Sequence, residues 1–420
     1  MRAFLVALAT TAALGIGAPA GASAQSARMA QRALRSTLVK RLVQARGRSG
    51  GYVLDLNTGQ VLFSSAPDVP RIPASVQKLY TTTTALLRFG PSATLTTSLL
   101  GQGTLDSLGD WNGTLYLRGA GDPTFGSASF DQSNYGAGAT VQSLVGNLVA
   151  QTGVTTVHGA VVGDESYFDS LRGTPASGFS YSFWVEGSLS ALAFNRGVLD
   201  GGHSYIPQPA VYAARQVVSA LRAAHITVAK TVSAGAGTTP TTAQVLASVQ
   251  SPTIAQLIWL TNAPSDNFFA EMLLKGLGAR FGAGGTTAAG AAVVRSEMAS
   301  QFGIAPRFND GSGLSRSDAT TPRQVVALLA KLAGNPYFVR SLAVAGETGT
   351  LQHEMRGTAA QARCRGKTGT LSDVASLTGY CRARDGHTLA FAFLMNSLRN
   401  PNFGHAVEAN MAVALAKYNG

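Results

Sequence analysis

Ser75 and Lys78 are the first two residues in this chain whose types and spacing could do chemistry. Side chains three apart on a helix project from the same face, so the lysine amine can reach the serine hydroxyl. A serine hydroxyl is a poor nucleophile until a base takes its proton, and a lysine acts as that base when burial lowers its pKa. The pair predicts a nucleophile with its base, although an isolated pair of this kind more often lies on a solvated helix face.

A second group, Ser265-Asp266-Asn267, offers a hydroxyl and an amide two residues apart. We expect Ser265 to relay a proton between Lys78 and a leaving amine, and Asn267 to donate to a peptide carbonyl. All three residue types also cap helices well, so a helix N-cap is the alternative. For Asp266 capping is the role that we expect.

The third group is Lys367-Thr368-Gly369-Thr370, on a predicted strand. Strand alternation sends Lys367 and Gly369 to one face and the two threonines to the other. The edge of such a strand can pair with an extended peptide. We expect Lys367 and a threonine hydroxyl to bind a carboxylate, and Gly369 to let a substrate backbone approach closely. The backbone amides of Ser75 and Thr370 are the candidates for an oxyanion hole.

These groups need strands and helices to position them. Two strands, 51–56 and 60–63, are predicted on either side of the turn Asn57-Thr58-Gly59, and a helix is predicted from Ser75 to Gly90-Pro91. The periodicity of apolar residues predicts the remaining elements. These are helices at 141–151, 209–224, 253–261, 267–280, 286–302, 322–332 and 406–417, and strands at 363–371, 374–381 and 389–395.

The order of these elements predicts an α+β fold. With 420 residues the chain exceeds the ~250–300 residues of one hydrophobic core, so more than one domain is expected. Residues 97–245 differ from the rest of the chain in their sequence pattern, which consists of short alternating runs and Gly-rich turns. They are predicted to form an inserted module that ends near a loop at 233–242. Residues 25–96 and 246–420 then form one domain, because strands at both ends enclose helices.

The first 24 residues have the layout of a signal peptide. Met1-Arg2 precedes an apolar stretch from Ala3 to Ile16, and Ala22-Ser23-Ala24 forms an A-x-A cleavage site. The apolar stretch is shorter than the ~20 residues of a membrane span. We expect an extracytoplasmic protein, periplasmic if the organism has an outer membrane.

Charge and histidine content exclude several kinds of function. The net charge is +12, yet charged residues make up only 13% of the chain, so basic residues do not cluster as they do in a nucleic-acid-binding arm. A diffuse positive field favours weak association with an anionic wall or membrane surface, as would any solvated basic surface. The six histidines are scattered and form no H-E-x-x-H string, which disfavours a metallopeptidase. A reaction through a serine nucleophile needs no metal or cofactor, and we expect none.

The two cysteines, Cys364 and Cys381, bracket the third group. Cys364 lies nine residues before Asp373 and Cys381 lies nine residues after Ser372, so a hairpin turning there places them opposite each other. In an oxidising compartment this predicts a cross-strand disulfide. Two free buried thiols are the alternative.

The order S-x-x-K, S-D-N, K-T-G is the signature of acyl-serine enzymes that act on D-alanyl-D-alanine peptides or on β-lactams. With the strings at 117–124 (LRGAGDPT) and 309–315 (NDGSGLS), the sequence resembles the D-alanyl-D-alanine carboxypeptidase/endopeptidase group of penicillin-binding proteins, typified by penicillin-binding protein 4. The resemblance spans about residues 45 to 400. It implies a β-lactamase/transpeptidase-like domain, an antiparallel sheet with helices on both faces, with the insertion between the first two motifs.

The resemblance also implies roles for individual residues. Ser75 becomes the acyl-enzyme nucleophile, Lys78 the proton acceptor and Lys367 the carboxylate-binding residue, with Ser265 and Asn267 as the second motif. The implied partners are peptidoglycan peptides and β-lactams. Asp122 becomes a candidate for the free amino group of a diaminopimelate side chain, with a turn cap before Pro123 as the alternative.

Two other functions are compatible with the same motifs. A serine β-lactamase uses the same motifs, but Lys78 and Ser265 are 187 positions apart and no E-x-x-x-N string follows Asn267, since Glu271 is followed four residues later by Lys275. We therefore expect a penicilloyl adduct to hydrolyse slowly. A non-catalytic wall-assembly protein is less favoured because every side chain needed for acylation is present.

Overall fold

A computed structural model describes residues 20–199, 204–230 and 232–420. The predicted signal peptide, residues 1–24, lies for the most part outside these ranges. None of the helices in these ranges combines the length and the hydropathy that a membrane-spanning helix requires.

The helices within these ranges number eleven. They are α1 Ala20–Gln44, α2 Lys78–Phe89, α3 Ala128–Asn134, α4 Val141–Thr152, α5 Pro209–Ala223, α6 Ile254–Asn262, α7 Asn267–Phe281, α8 Thr287–Glu297, α9 Pro322–Leu332, α10 Pro336–Ser341 and α11 Pro401–Lys417.

Fifteen strands lie in the same ranges. They are β1 Arg48–Asp55, β2 Val61–Ser65, β3 Thr96–Leu105, β4 Asp110–Arg118, β5 Thr156–Val157, β6 Val161–Asp164, β7 Val198–Leu199, β8 Ser204–Tyr205, β9 Thr227–Val228, β10 Ala234–Ala236, β11 Gln244–Gln250, β12 Ala343–Val344, β13 Cys364–Leu371, β14 Val374–Arg382 and β15 Thr388–Asn396.

One sheet joins the two ends of the chain. Its six strands run in the order β12-β13-β14-β15-β1-β2, and all its pairings are antiparallel. One apolar core on this sheet includes residues of α2 and α6 to α9; the other includes residues of α1 and α11. The predicted α+β class, with helices on both faces of an antiparallel sheet, is confirmed.

A second sheet is formed by strands between Thr96 and Gln250. Its main path is β10-β6-β4-β3-β11, with β5 beside β4 and β9 beside β5, and a third core packs it against α4 and α5. The predicted loop at 233–242 is wrong in part, because Ala234–Ala236 pairs in parallel with Val161–Gly163. The division into domains stays a prediction.

The first motif begins differently from the predicted continuous helix. Ser75 lies in a 3-10 turn, Ala74–Gln77, and α2 follows from Lys78. Gly90, with φ of 91°, ends α2 as predicted. Asp266 caps α7, its carboxylate accepting from the Phe269 N–H at 2.9 Å, as expected for that residue.

Cys364 and Cys381 form a disulfide. They are direct partners in the antiparallel register of β13 and β14, so the predicted cross-strand bond is confirmed. Both are buried on the core side that includes α11.

We predict that replacing both cysteines with serine lowers the free energy of unfolding by about 2–4 kcal/mol, because the bond closes a loop in the unfolded chain. Urea denaturation of the oxidised protein and of Cys364→Ser/Cys381→Ser measures this difference. Wild-type protein unfolded with reductant present should match the variant. Equal stability of the oxidised protein and the variant would contradict a stabilising role.

Candidate active site

The hydroxyl of Ser75 meets the amine of Lys78. Lys78 Nζ lies 2.8 Å from Ser75 Oγ, and Ser75 is half-buried while Lys78 is fully buried. Ala74, the buried residue before Ser75, has φ of 49°, a conformation that an alanine adopts only when its surroundings enforce it. The turn therefore holds the hydroxyl in one direction, above the lysine.

Lys78 Nζ has two further acceptors from distant segments. Asn267 Oδ1 lies at 2.5 Å and the carbonyl oxygen of Ser312 at 2.8 Å. Burial lowers the pKa of Lys78 from 10.5 to about 8, although nearby carboxylates, Asp266 first, act in the opposite direction. A substantial fraction of the amine is then neutral near physiological pH, as a general base requires.

The loop 309–315 holds the Ser312 carbonyl in place. Asp310 accepts from the backbone N–H groups of Gly313 and Ser315, both at 2.7 Å. Gly313 has φ of 84°, and a Cβ there would lie 1.9 Å from the carbonyl oxygen of Ala74. This glycine therefore allows the loop to touch the turn that carries the nucleophile.

The second motif divides its residues between the lysine and an open cavity. Asn267 Nδ2 donates one of its two hydrogens to the Trp184 carbonyl at 2.6 Å. The expected bond from Asn267 to a peptide carbonyl stays a prediction. Ser265 has φ of 70° and lines the cavity with Asn267.

Asp266 is more than a cap. Its carboxylate forms a bidentate ion pair with Arg196, with Nη1–Oδ2 at 2.6 Å and Nη2–Oδ1 at 3.1 Å. The two side chains are 14% and 11% exposed. Arg196 also donates from Nε to the Glu186 carbonyl at 2.8 Å. The pair ties the start of α7 to residues that lie between the first and second motifs.

Strand β13 places its residues as alternation predicts. Lys367 is fully buried, and its Nζ donates to the Thr368 carbonyl at 3.0 Å. Burial, with Lys78 as a second cause, lowers the pKa of Lys367 well below its ordinary value. Thr368 Oγ1 donates to Thr350 Oγ1, and Thr370 Oγ1 is bonded to His405 Nε2, both at 2.8 Å.

Gly369 contacts the turn that carries the nucleophile. A Cβ on it would lie 2.5 Å from the Pro73 carbonyl oxygen and 3.1 Å from the Ser75 nitrogen. The space beside this glycine is therefore filled by the protein's own backbone, which differs from the expected approach of a substrate. Its small size brings β13 against the Ser75 amide.

A cavity of about 700 Å³ opens above these groups. Ser75, Ser265 and Asn267 line one part of it, and Thr350, Thr368 and Thr370 line another. Lys78 and Lys367 are not among the lining residues; they lie buried beneath. In the described ranges β12 pairs with β13 only at Arg365 and Gly366, so the edge from Thr368 onward has no strand partner there. The arrangement suits a nucleophilic attack on an extended peptide.

The comparison with protein families identifies the chain. The D-Ala-D-Ala carboxypeptidase 3 (S13) family, Peptidase S13, matches residues 33–180 and 180–418. The chain belongs to this family. It is a serine hydrolase of the carboxypeptidase type and a penicillin-binding peptidase, as the resemblance implied.

Relatives support this assignment along most of the chain. A D-alanyl-D-alanine carboxypeptidase of an Actinomadura species is 29% identical, over 89% of this chain and 82% of the relative. A carboxypeptidase of Mycobacterium tuberculosis is 30% identical, over 86% of this chain and 79% of the relative.

Solved structures show the same fold. Penicillin-binding protein 4 of Haemophilus influenzae superposes with a TM-score of 0.75 at 21% identity, covering 91% of this chain and 99% of that one. A predatory peptidoglycan endopeptidase of Bdellovibrio bacteriovorus gives a TM-score of 0.55 at 15% identity, covering 86% and 90%. The predicted β-lactamase/transpeptidase-like fold is confirmed.

In this S13 enzyme Asp122 is buried and does not line the cavity. It is 1% exposed, and its Oδ1 accepts from the backbone N–H and the hydroxyl of Thr124, at 2.8 and 2.7 Å. Burial raises its pKa to about 7. The geometry is that of the turn cap weighed as the alternative, and Asp122 is not among the residues that line the cavity.

Several residues at the site of the S13 enzyme had no predicted role. They are Trp184, Arg196, Ser312, Thr350 and His405. Ser312 lies in the string NDGSGLS, whose resemblance to the family was the available signal. Trp184 contributes only its backbone carbonyl, which its side-chain type does not indicate. His405 lies on α11, far along the chain from the first two motifs, and reaches the site through Thr370.

We predict that acylation by a fluorescent penicillin accelerates with rising pH, with a midpoint near pH 8, the pKa of Lys78. The acylation rate rises with pH because Lys78 can take the proton of Ser75 only after losing its own proton. Rates measured by gel fluorescence across this range test it, with circular dichroism to show that the fold is unchanged. Lys78→Arg should not react at any of these pH values. A flat or falling profile for the wild type would contradict the assignment of the base.

We predict that Arg196→Ala lowers the free energy of unfolding by about 3–5 kcal/mol, because it leaves Asp266 buried without its ion-pair partner. Acylation should slow as well, since Asp266 begins the helix that carries Asn267. Arg316→Ala is the matched control for stability: Arg316 and Asp373 form an exposed ion pair at 2.6 Å, worth about 0–1 kcal/mol. If urea denaturation shows that Arg196→Ala and Arg316→Ala lower the free energy of unfolding equally, the buried ion pair does not have the stabilising role predicted here.

Proposed function

We propose that this enzyme hydrolyses D-alanyl-D-alanine peptide bonds in peptidoglycan stem peptides through an acyl-enzyme on Ser75. The observation that carries the proposal is the 2.8 Å contact between Ser75 Oγ and the amine of fully buried Lys78. The hydroxyl borders a cavity that also meets an unpaired strand edge.

In the first step neutral Lys78 takes the proton of Ser75 as Oγ attacks the carbonyl carbon of the penultimate D-alanine. The carbonyl oxygen becomes an oxyanion, to which the backbone N–H groups of Ser75 and Thr370 would donate. The close contact of Gly369 with the Ser75 nitrogen supports this pairing, because it brings β13 against the nucleophile.

In the second step the bond to the terminal D-alanine breaks, and its nitrogen receives the proton that Lys78 holds. Ser265, which lines the cavity, is the proposed relay. The product is an ester on Ser75 and free D-alanine. Water then attacks the ester, Lys78 takes a proton from that water, and Ser75 recovers its hydroxyl hydrogen.

The substrate's terminal carboxylate would lie against β13. The hydroxyls of Thr368 and Thr370 line the cavity, while Lys367 lies buried behind them. We therefore propose that the two threonines make the direct hydrogen bonds to the carboxylate. Lys367 would act on the carboxylate from its buried position behind the threonines. His405, bonded to Thr370 and to Glu408 at 3.1 Å, holds the Thr370 hydroxyl in position.

A cationic stem-peptide side chain would meet Glu186 and not Asp122. Glu186 lines the cavity, and its side chain is 59% exposed, 3.6 Å from Arg196. Asp122 is buried and does not line the cavity, so its position does not support the contact with diaminopimelate.

The β-lactamase alternative is disfavoured by the position of Glu271. This carboxyl is buried beneath the site, and its Oε1 accepts from the Ser312 N–H at 2.8 Å. Burial, with the nearby Asp310 carboxyl as a second cause, raises the pKa of Glu271 above its ordinary value. It does not line the cavity, so it is poorly placed to activate water for rapid release of a penicilloyl group.

We propose further that residues 25–96 and 246–420 form the catalytic domain and 97–245 an insertion. The six-stranded sheet draws all its strands from the first set. The second sheet draws its strands from 97–245, except that it also takes Thr96 and most of β11, residues 246–250, and Arg196 links the insertion to the site. Because peptidoglycan lies outside the cytoplasmic membrane, the proposal requires export, for which residues 1–24 are the predicted signal.

Incubation of the purified protein with pentapeptide monomers and with cross-linked dimers tests the proposal. We predict release of D-alanine from the monomers, seen by mass spectrometry, and its loss in Ser75→Ala. Ser300→Ala, an exposed serine outside the cavity, should retain activity. Cleavage of the dimers would add endopeptidase activity.

Two results would overturn the proposal. The first is a failure to cleave either substrate, or a Ser75→Ala variant that still cleaves or still forms a penicillin adduct. The second is rapid hydrolysis of the penicillin itself, which would favour a β-lactamase.

A further inference from the structure

A groove lined by five arginines lies on the catalytic sheet, outside the cavity just described. Its volume is about 890 Å³, and neither Asp nor Glu is among its lining residues. We call it the arginine groove; its arginines are Arg340, Arg363, Arg365, Arg382 and Arg384.

The register of β13 and β14 brings together the arginines at and beside the ends of these strands, while Arg340 comes from α10. The Arg382 N–H donates to the Arg363 carbonyl at 2.9 Å, and Arg365 is the direct partner of Tyr380. Cys364 and Cys381 alternate with these residues and therefore point to the opposite face. The disulfide thus fixes the two arginine-bearing strand ends against each other.

The guanidinium groups have no acidic partners. Within the described parts of the chain none of the five forms a salt bridge, whereas Arg172, Arg196, Arg316 and Arg323 pair with carboxylates at 2.6–2.7 Å. Arg363 and Arg365 donate to the carbonyls of Ala383 and Val339, at 2.6 and 3.2 Å. Two groups are therefore held in place by neutral acceptors, and the others, on Arg340, Arg382 and Arg384, are exposed.

Five like charges around one concavity repel each other unless an anion neutralises them. Guanidinium groups present forked donors that match phosphate oxygens. We propose that the arginine groove binds a linear phosphate-rich polyanion, with several phosphates meeting several arginines. A flat bilayer fits this feature less well, because a concave groove withdraws some of its arginines from a planar surface.

The groove and the active site share β13 but do not overlap. From Arg365 to Thr370 is five residues, roughly 17 Å along a strand, and the two cavities have no lining residue in common. A bound polymer would therefore anchor the enzyme beside its substrate without blocking Ser75. The proposal does not depend on the peptidase reaction, and its test needs no turnover.

Fluorescence anisotropy of labelled inorganic polyphosphate, titrated with the full chain, tests the proposal. We expect salt-dependent binding that Arg340→Gln/Arg382→Gln/Arg384→Gln weakens by at least about tenfold, with a smaller dependence on salt. Arg215→Gln/Arg222→Gln/Lys230→Gln removes the same charge from exposed positions in and after α5. We expect that control to weaken binding by less than about twofold.

Further binding experiments distinguish which ligand occupies the arginine groove. Polyglutamate of equal charge should bind more weakly than polyphosphate, and phosphatidylglycerol vesicles should not compete for the groove. Penicillin acylation of each variant shows that the variant is folded. If the triple variant does not fold, Arg384→Glu replaces it in the binding measurement. Equal losses in both triple variants, equal binding of polyglutamate, or binding to vesicles alone would overturn the proposal.

Discussion

The burial of the Lys78 amine is the interaction on which the site depends. A lysine in this position is useful as a base because removal from water lowers its pKa to about 8. The same burial is tolerable because three segments supply acceptors to Nζ: the Ser75 hydroxyl, the Asn267 amide and the Ser312 carbonyl. Burying a charge without such partners would be strongly unfavourable. Each segment must therefore arrive at a fixed position.

Those positions are set by close backbone contacts and one ion pair. Gly313 and Gly369 both approach the residues just before Ser75 at distances that no Cβ permits, and Ala74 keeps its positive φ between them. Arg196 and Asp266 fix the beginning of α7, and with it Asn267. A change in any of these residues would move an acceptor away from Lys78 without touching a reacting atom.

The sequence predicts much of this site because its signals are local. The spacing of Ser75 and Lys78, the alternation along β13 and the symmetric placement of Cys364 and Cys381 each follow from the geometry of one element or one hairpin. The direction of Asn267 was not predictable, because it depends on the φ of Ser265 and on the distant Trp184 carbonyl. The short strand β10 was missed because its residues resemble a loop until β6 pairs with them.

Strand β13 is held by a disulfide and a neighbouring strand at one end and has an unpaired edge at the other. The site depends on both features. The disulfide and the pairing with β12 hold it near Cys364 to Gly366. An unpaired edge further along exposes a template for aggregation, which proteins avoid by covering it. Here the cavity that meets this edge is also lined by residues of other segments, among them Thr350 and Pro401. These segments cover part of the edge that a peptide substrate would use.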